Sequence, residues 1–92
     1  MKARIRFFAR FRELLGAEVI AEPLPGTSLA ALIREVAREN GEGYDAIFHG
    51  HGTFREHVIL MRNGKRVEGA DAEETPVADG DEIAVFPPVS GG

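Results

Sequence analysis

The chain has 92 residues, 43% hydrophobic and 28% charged, with a formal net charge of −4 and no cysteine. That length supplies one domain with a modest core and no room for a large buried active site besides. The missing cysteines exclude disulfides, thiolate metal sites, iron–sulfur ligation and persulfide carriage together, and the acidic balance disfavours nucleic acid as a partner. No apolar run reaches the length of a membrane span, and Met1-Lys2-Ala3-Arg4-Ile5-Arg6 interleaves charge with apolar residues rather than opening a signal peptide. The expected setting is cytoplasmic, with neither membrane nor nucleic acid as a partner.

Arg4 to Ala9 alternates, with Ile5 and Phe7 on one face and Arg4, Arg6 and Phe8 on the other, which predicts a half-buried strand. Arg10 to Gly16 reads as a short turn or one helical turn, and Val19 to Leu24 as a second strand paired with the first in a hairpin. Thr27 or Ser28 can cap a helix in which Leu29, Leu32, Ile33, Val36 and Ala37 form one apolar stripe, with Arg34, Glu35, Arg38 and Glu39 opposite. Asn40-Gly41 is expected to end it, leaving it the only long helix. Residues 41–56 read as a Gly-rich loop anchored by Tyr44, Ile47, Phe48 and Phe54. A third strand, His57 to Arg62, meets the hairpin signal Asn63-Gly64 and returns through Lys65 to Val67. Asp71 to Pro76 shows no regular pattern. Asp79-Gly80-Asp81 then turns into a last strand, Glu82 to Phe86, with Ile83 and Val85 inward.

This order predicts an α+β ubiquitin-like β-grasp, a mixed sheet of four to five strands with one main helix on one face. A split βαβ domain is the alternative. The domain is expected over residues 1–86, followed by an extended tail over 87–92. That tail, Pro87-Pro88-Val89-Ser90-Gly91-Gly92, is the feature with the clearest chemical meaning. Two prolines favour extension, so six residues reach about 20 Å. Glycine has no Cβ, so Gly91-Gly92 fits a channel too narrow for other residues and presents an unhindered carboxylate. A carboxylate of this kind can be activated as an acyl-adenylate and attacked by sulfur or nitrogen. A frayed Gly-rich end is the bland alternative.

Phe7-Phe8-Ala9-x-x-Arg12-Glu13-Leu14, Arg62-Asn63-Gly64, and the stretch from Asp79-Gly80-Asp81-Glu82 through Phe86-Pro87-Pro88-Val89-Ser90-Gly91-Gly92 together resemble the molybdopterin synthase small-subunit family of sulfur carriers. They are also similar to the small archaeal modifier proteins. The resemblance implies that an ATP-dependent, ubiquitin-activating-like enzyme adenylates Gly92, after which a sulfur donor makes a thiocarboxylate. It implies delivery of that sulfur to cyclic pyranopterin monophosphate in the synthase large subunit, for the molybdenum or tungsten cofactor. In the modifier role, it implies an isopeptide bond from Gly92 to a substrate lysine. Gly92 would carry the acyl chemistry, with Gly91, Ser90, Val89, Pro88 and Pro87 as the inserting arm. No permanently bound cofactor is implied, and ATP serves the activating enzyme.

Phe8 and Phe86 both fall on the outward parity of strands expected side by side, with Ile59 and Met61 extending the patch, which suggests a docking face. Arg4, Arg6, Arg10 and Arg12 cluster near Phe8 in sequence and could steer an acidic partner, with Arg12 favoured because it matches the family element. A solvated strand face is the simpler reading of such a run. His49, His51 and His57 lack a thiolate or carboxylate pair nearby in sequence and are read as solvated loop residues with no metal. Lys2 and Lys65 are the only lysines, hence the only side-chain acceptors for self-conjugation. A third function, of another class, is a β-grasp interaction domain whose tail is simply a ligand.

Overall fold

Alternation at the chain's start becomes β1 (Ala3–Phe7), in which Ala3, Ile5 and Phe7 are buried and Arg4 and Arg6 exposed. The computed structural model describes residues 1–88. After β1 come α1 (Ala9–Leu15), β2 (Glu18–Ala21), α2 (Leu29–Ala37), α3 (Gly41–Ile47), β3 (Ile59–Arg62), β4 (Lys65–Val67), α4 (Gly69–Glu74) and β5 (Glu82–Phe86). One five-stranded sheet runs β2-β1-β5-β3-β4. Its centre is the parallel pair β1 and β5, in register Ile5 with Ile83 and Phe7 with Val85, while the other neighbours are antiparallel. This is the expected β-grasp.

The core lies between the inner face of the sheet and α2. Ile5, Phe7, Ile83 and Val85 meet Leu29, Leu32, Ile33 and Ala37, all at most 2% exposed. Ser28 caps α2 by accepting the Ala31 amide at 3.1 Å. Asn63 and Gly64 both take positive φ, 49° and 82°, the conformation that an Asn-Gly hairpin turn requires.

Two expectations change. Residues 41–56 are not simply a loop, because 41–47 is α3. Asn40 starts this helix rather than merely ending α2: its side-chain oxygen accepts the Gly43 amide at 3.1 Å, and its amide group donates to the Leu14 carbonyl at 2.8 Å. Gly41 and Gly43 disfavour a helix intrinsically, but burial of Ile47 and Phe48 outweighs that preference. Gly43 is also needed for close approach, since a Cβ there would lie 2.6 Å from Leu15 Cδ2. The expected anchors do pack, with the Phe48 ring 5.0 Å from Tyr44 and 4.6 Å from Phe54.

The stretch from Asp71 likewise forms part of a short helix, α4. It is tied to α2 by a bidentate pair in which Arg34 donates to both Glu73 oxygens at 2.8 Å, while one Arg34 nitrogen also donates to the Gly52 carbonyl at 3.1 Å. The Arg34 hydrogen bond holds the Glu73 carboxyl below its ordinary value against the opposing effect of burial. So α2 is the longest of four helices in the described residues, the main helix that the sequence predicts.

The start of β5 is fixed by Asp81, 4% exposed and the one buried charged residue among those described. Its carboxylate accepts from Arg62 Nε at 3.0 Å, Asn63 Nδ2 at 2.9 Å and the Ala78 amide at 2.8 Å. Asn63 in turn accepts the Glu82 amide at 2.8 Å. The Asp81 carbonyl accepts the Arg4 amide at 2.9 Å, and the Gly80 amide donates to the Lys2 carbonyl at 2.7 Å. Burial opposes the Asp81 charge, but the Ala78, Asn63 and Arg62 donors outweigh it and hold the carboxyl below its ordinary range.

Replacing Asp81 with alanine is expected to cost about 2–3 kcal/mol, measured as a lowered denaturant midpoint, because three donors lose a buried acceptor. A folded-state pKa below the unfolded value stabilises fully above the ordinary carboxylate range and less as pH falls through the folded value. Acid unfolding of the Asp81→Asn protein should therefore be less steep, as pH falls below the ordinary carboxylate range, than that of the parent.

Candidate functional site

β1 ends at Phe7, two residues earlier than the alternation suggested, because Ala9 turns to φ 52° and opens α1. Phe8 nevertheless stays extended, at φ −127° and ψ 154°, and its amide donates to the Val85 carbonyl at 3.3 Å. Its side chain therefore keeps the outward parity of the strand. Phe86, on the same face of the neighbouring strand, stacks on it with ring centroids 4.3 Å apart and planes 11° from parallel. Both rings are half-buried, each covering the other.

Ile59 is the register partner of Phe86, and Met61 that of Ala84. Leu60, between them, is buried on the opposite face. Ile59 and Met61 are half-buried and share the outer face with the ring pair. Arg6, Phe8, Met61, Ala84 and Phe86 border a shallow concavity of about 270 Å³. The Arg6 guanidinium carbon sits 5.6 Å from the Phe8 ring centre, within cation–π range. Around the ring pair the outer face is thus an apolar strip, with Arg6 and Glu82 bordering its concavity, directly beside the end of β5.

The other arginines divide. Arg4 lies 3.3 Å from Glu18 and 3.4 Å from Glu82, so it balances charge across three strands. Arg12 is exposed on α1, where its amide donates to the Phe8 carbonyl at 3.4 Å. That contact sets α1 against Phe8 but leaves the Arg12 side chain without an ion pair among the described residues. Pro87 is half-buried and Pro88 exposed. Val89, Ser90, Gly91 and Gly92 lie outside the described residues.

The histidines lie in the connection between α3 and β3. His49 Nε2 is 2.9 Å from Glu56 Oε1, and His51 Nε2 is 2.7 Å from Thr53 Oγ1. The two imidazoles stack at 5.4 Å. The Glu56 carboxyl is lowered first by its own backbone amide and then by His49. Among the described residues no group of three or more His, Asp or Glu could hold a metal ion, and no helix is long and apolar enough to cross a membrane.

Asp81, at the far end of β5 from the ring pair, is the buried clamp whose role sequence reasoning missed. Arg62-Asn63-Gly64 and Asp79-Gly80-Asp81 were legible as separate turns, and an acid following Asp-Gly at a strand start was the one available signal of their meeting.

The ThiS family profile matches residues 5–92. Small archaeal modifier protein 3 of Haloferax volcanii is 35% identical over the full length of both chains. The molybdopterin synthase sulfur carrier subunit of Escherichia coli is 26% identical over 97% of this chain and 98% of its own. The crystal structure of small archaeal modifier protein 1 from Haloferax volcanii superposes with a TM-score of 0.85 at 25% identity, covering all of both chains. The chain belongs to the ThiS family, whose members here are β-grasp sulfur carriers and ubiquitin-like modifiers.

Proposed function

We propose that this chain is the sulfur-carrying small subunit of a molybdopterin synthase, with the Gly92 carboxylate as the reactive group. The observation that carries the reading is the Phe8–Phe86 stack, at 4.3 Å, at the end of β5 from which the Pro-Pro-Val-Ser-Gly-Gly arm leaves. Gly92 attacks the α-phosphorus of ATP within an adenylating enzyme, releasing pyrophosphate. A sulfur donor then displaces AMP and leaves a thiocarboxylate. In the large subunit, in the cytoplasm, the thiocarboxylate sulfur bonds to cyclic pyranopterin monophosphate, and water then cleaves the Gly92 carbonyl–sulfur bond, leaving the sulfur on the pterin and returning Gly92 as a carboxylate. The acid and base groups belong to the partners. This chain contributes the electrophile, the narrow arm and the docking surface.

Phe8, Phe86, Ile59 and Met61 form that surface, with Arg6 at its edge, and the exposed Arg12 of α1 is a further contact for the partner. Aromatic side chains beside a reactive arm are the residues expected to dominate docking energy. A second reading, protein modification through Gly92 and substrate lysines, is favoured by the full-length 35% identity to a small archaeal modifier protein. It uses the same arm, activating enzyme and face.

Intact-mass analysis of the protein from its host tests the chemistry. A species in which one oxygen is replaced by sulfur at the C-terminal peptide is expected for carriage. Gly-Gly remnants on lysines of other proteins, without that species, would mark modification instead, and the absence of both results would sink both readings. Phe8→Ser with Phe86→Ser should weaken binding to the adenylating enzyme about tenfold or more, read by calorimetry, while the far-UV spectrum stays folded.

A further inference from the structure

Helix α2 sends its charges in two directions. Arg34 pairs with Glu73 of α4, and Arg38 lies 5.7 Å from the Tyr44 ring of α3. Glu35 and Glu39, one helical turn apart, face β2 across a groove of about 430 Å³. Leu14, Leu15, Val19 and Val36 form its half-buried apolar walls, and Glu22 stands at its far side. None of these three exposed glutamates has an ion pair among the described residues. Glu35 on α2 and Glu39 in the turn that follows it thus set two unpaired carboxylates along one side of the groove.

β2 is also the edge of the sheet. The Phe7 amide donates to the Ala17 carbonyl at 3.1 Å, in the same register that pairs Ile5 with Val19. Antiparallel alternation then turns the amide and carbonyl of Glu18 and Ile20 away from β1, toward the outer edge. An unpaired strand edge beside an apolar groove is the arrangement used for strand addition by an extended peptide.

We propose that this groove binds an extended basic segment of a partner protein, added as a strand on β2. Its alternate apolar side chains enter the groove, and its Lys or Arg residues face Glu22, Glu35 and Glu39. Charge selects this occupant. A second copy pairing β2 on β2 would bring Glu18 and Glu22 of both chains together. The chain's own Gly-Gly end offers no cation. The groove lies on the helix-bearing face of the sheet and the Phe8–Phe86 stack on the other, so both surfaces can be engaged at once. The inference stands whether or not Gly92 carries sulfur.

The test is an NMR titration of the full chain with a synthetic peptide whose central Val-Ile-Val-Leu is flanked on both sides by Lys-Arg. Saturable shifts at Leu15, Ile20, Ala21 and Val36 are expected, with slowed hydrogen exchange at the Ile20 amide. Affinity should fall with salt, as for exposed charge pairs, and drop roughly tenfold for the Glu35→Lys/Glu39→Lys protein. Unchanged resonances of the Phe8–Phe86 face would show that this variant is folded. The proposal is overturned by equal binding of a peptide with Glu-Asp flanks, or of one with proline at alternate central positions. Indifference to the double charge reversal would also overturn it, as would dimerisation through β2 with no uptake of peptide.

Discussion

The parallel pairing of β1 with β5 is the constraint on which the rest of the molecule depends. It joins the first and last strands at the middle of the sheet, with Ile5 beside Ile83 and Phe7 beside Val85. Those residues are buried against α2, so the hydrophobic core itself fixes the register. A slip by one residue would turn Phe7 and Val85 to solvent and bring polar neighbours inward. Because the register is fixed, Phe8 and Phe86 must meet on the outer face, and the chain must leave the sheet beside them. The geometry of the proposed docking face therefore follows from core packing and needs no specialised loop.

Polar interactions secure the ends of this arrangement. Asp81 holds the start of β5 to the β3–β4 turn through Arg62 and Asn63, and the adjoining backbone ties it to Lys2 and Arg4. Arg34 performs a related task on the helical side, joining α2 to α4 through Glu73. The two faces of the sheet consequently differ in character. The outer face is an apolar strip bordered by Arg6 and Glu82, whereas the groove beside β2 is bordered by glutamates alone. Two surfaces that differ in charge select against each other's partners.

Much of this was legible in the residues. Alternation in Arg4 to Phe8 and Glu82 to Phe86 fixed which side chains face outward, so the aromatic pair could be inferred without coordinates. Asn63-Gly64 named its own turn, and the apolar stripe of α2 named its buried face. α3 was hidden because Gly41 and Gly43 mask its helical tendency, and a six-residue α4 is too short to display a period. The Asp81 clamp was hidden for another reason: it joins residues 18 and 19 positions apart whose local sequences each describe only a turn. Buried charge networks of this kind arise from topology, which periodicity does not encode.

The central claim is that Gly92 is an acyl terminus activated while the Phe8–Phe86 face is docked. ATP–pyrophosphate exchange catalysed by the host's adenylating enzyme measures that activation directly. The account predicts exchange that depends on this chain, disappears on deletion of Gly92, and recovers at high carrier concentration when Phe8 is replaced by serine. Exchange that persists without Gly92 would contradict it.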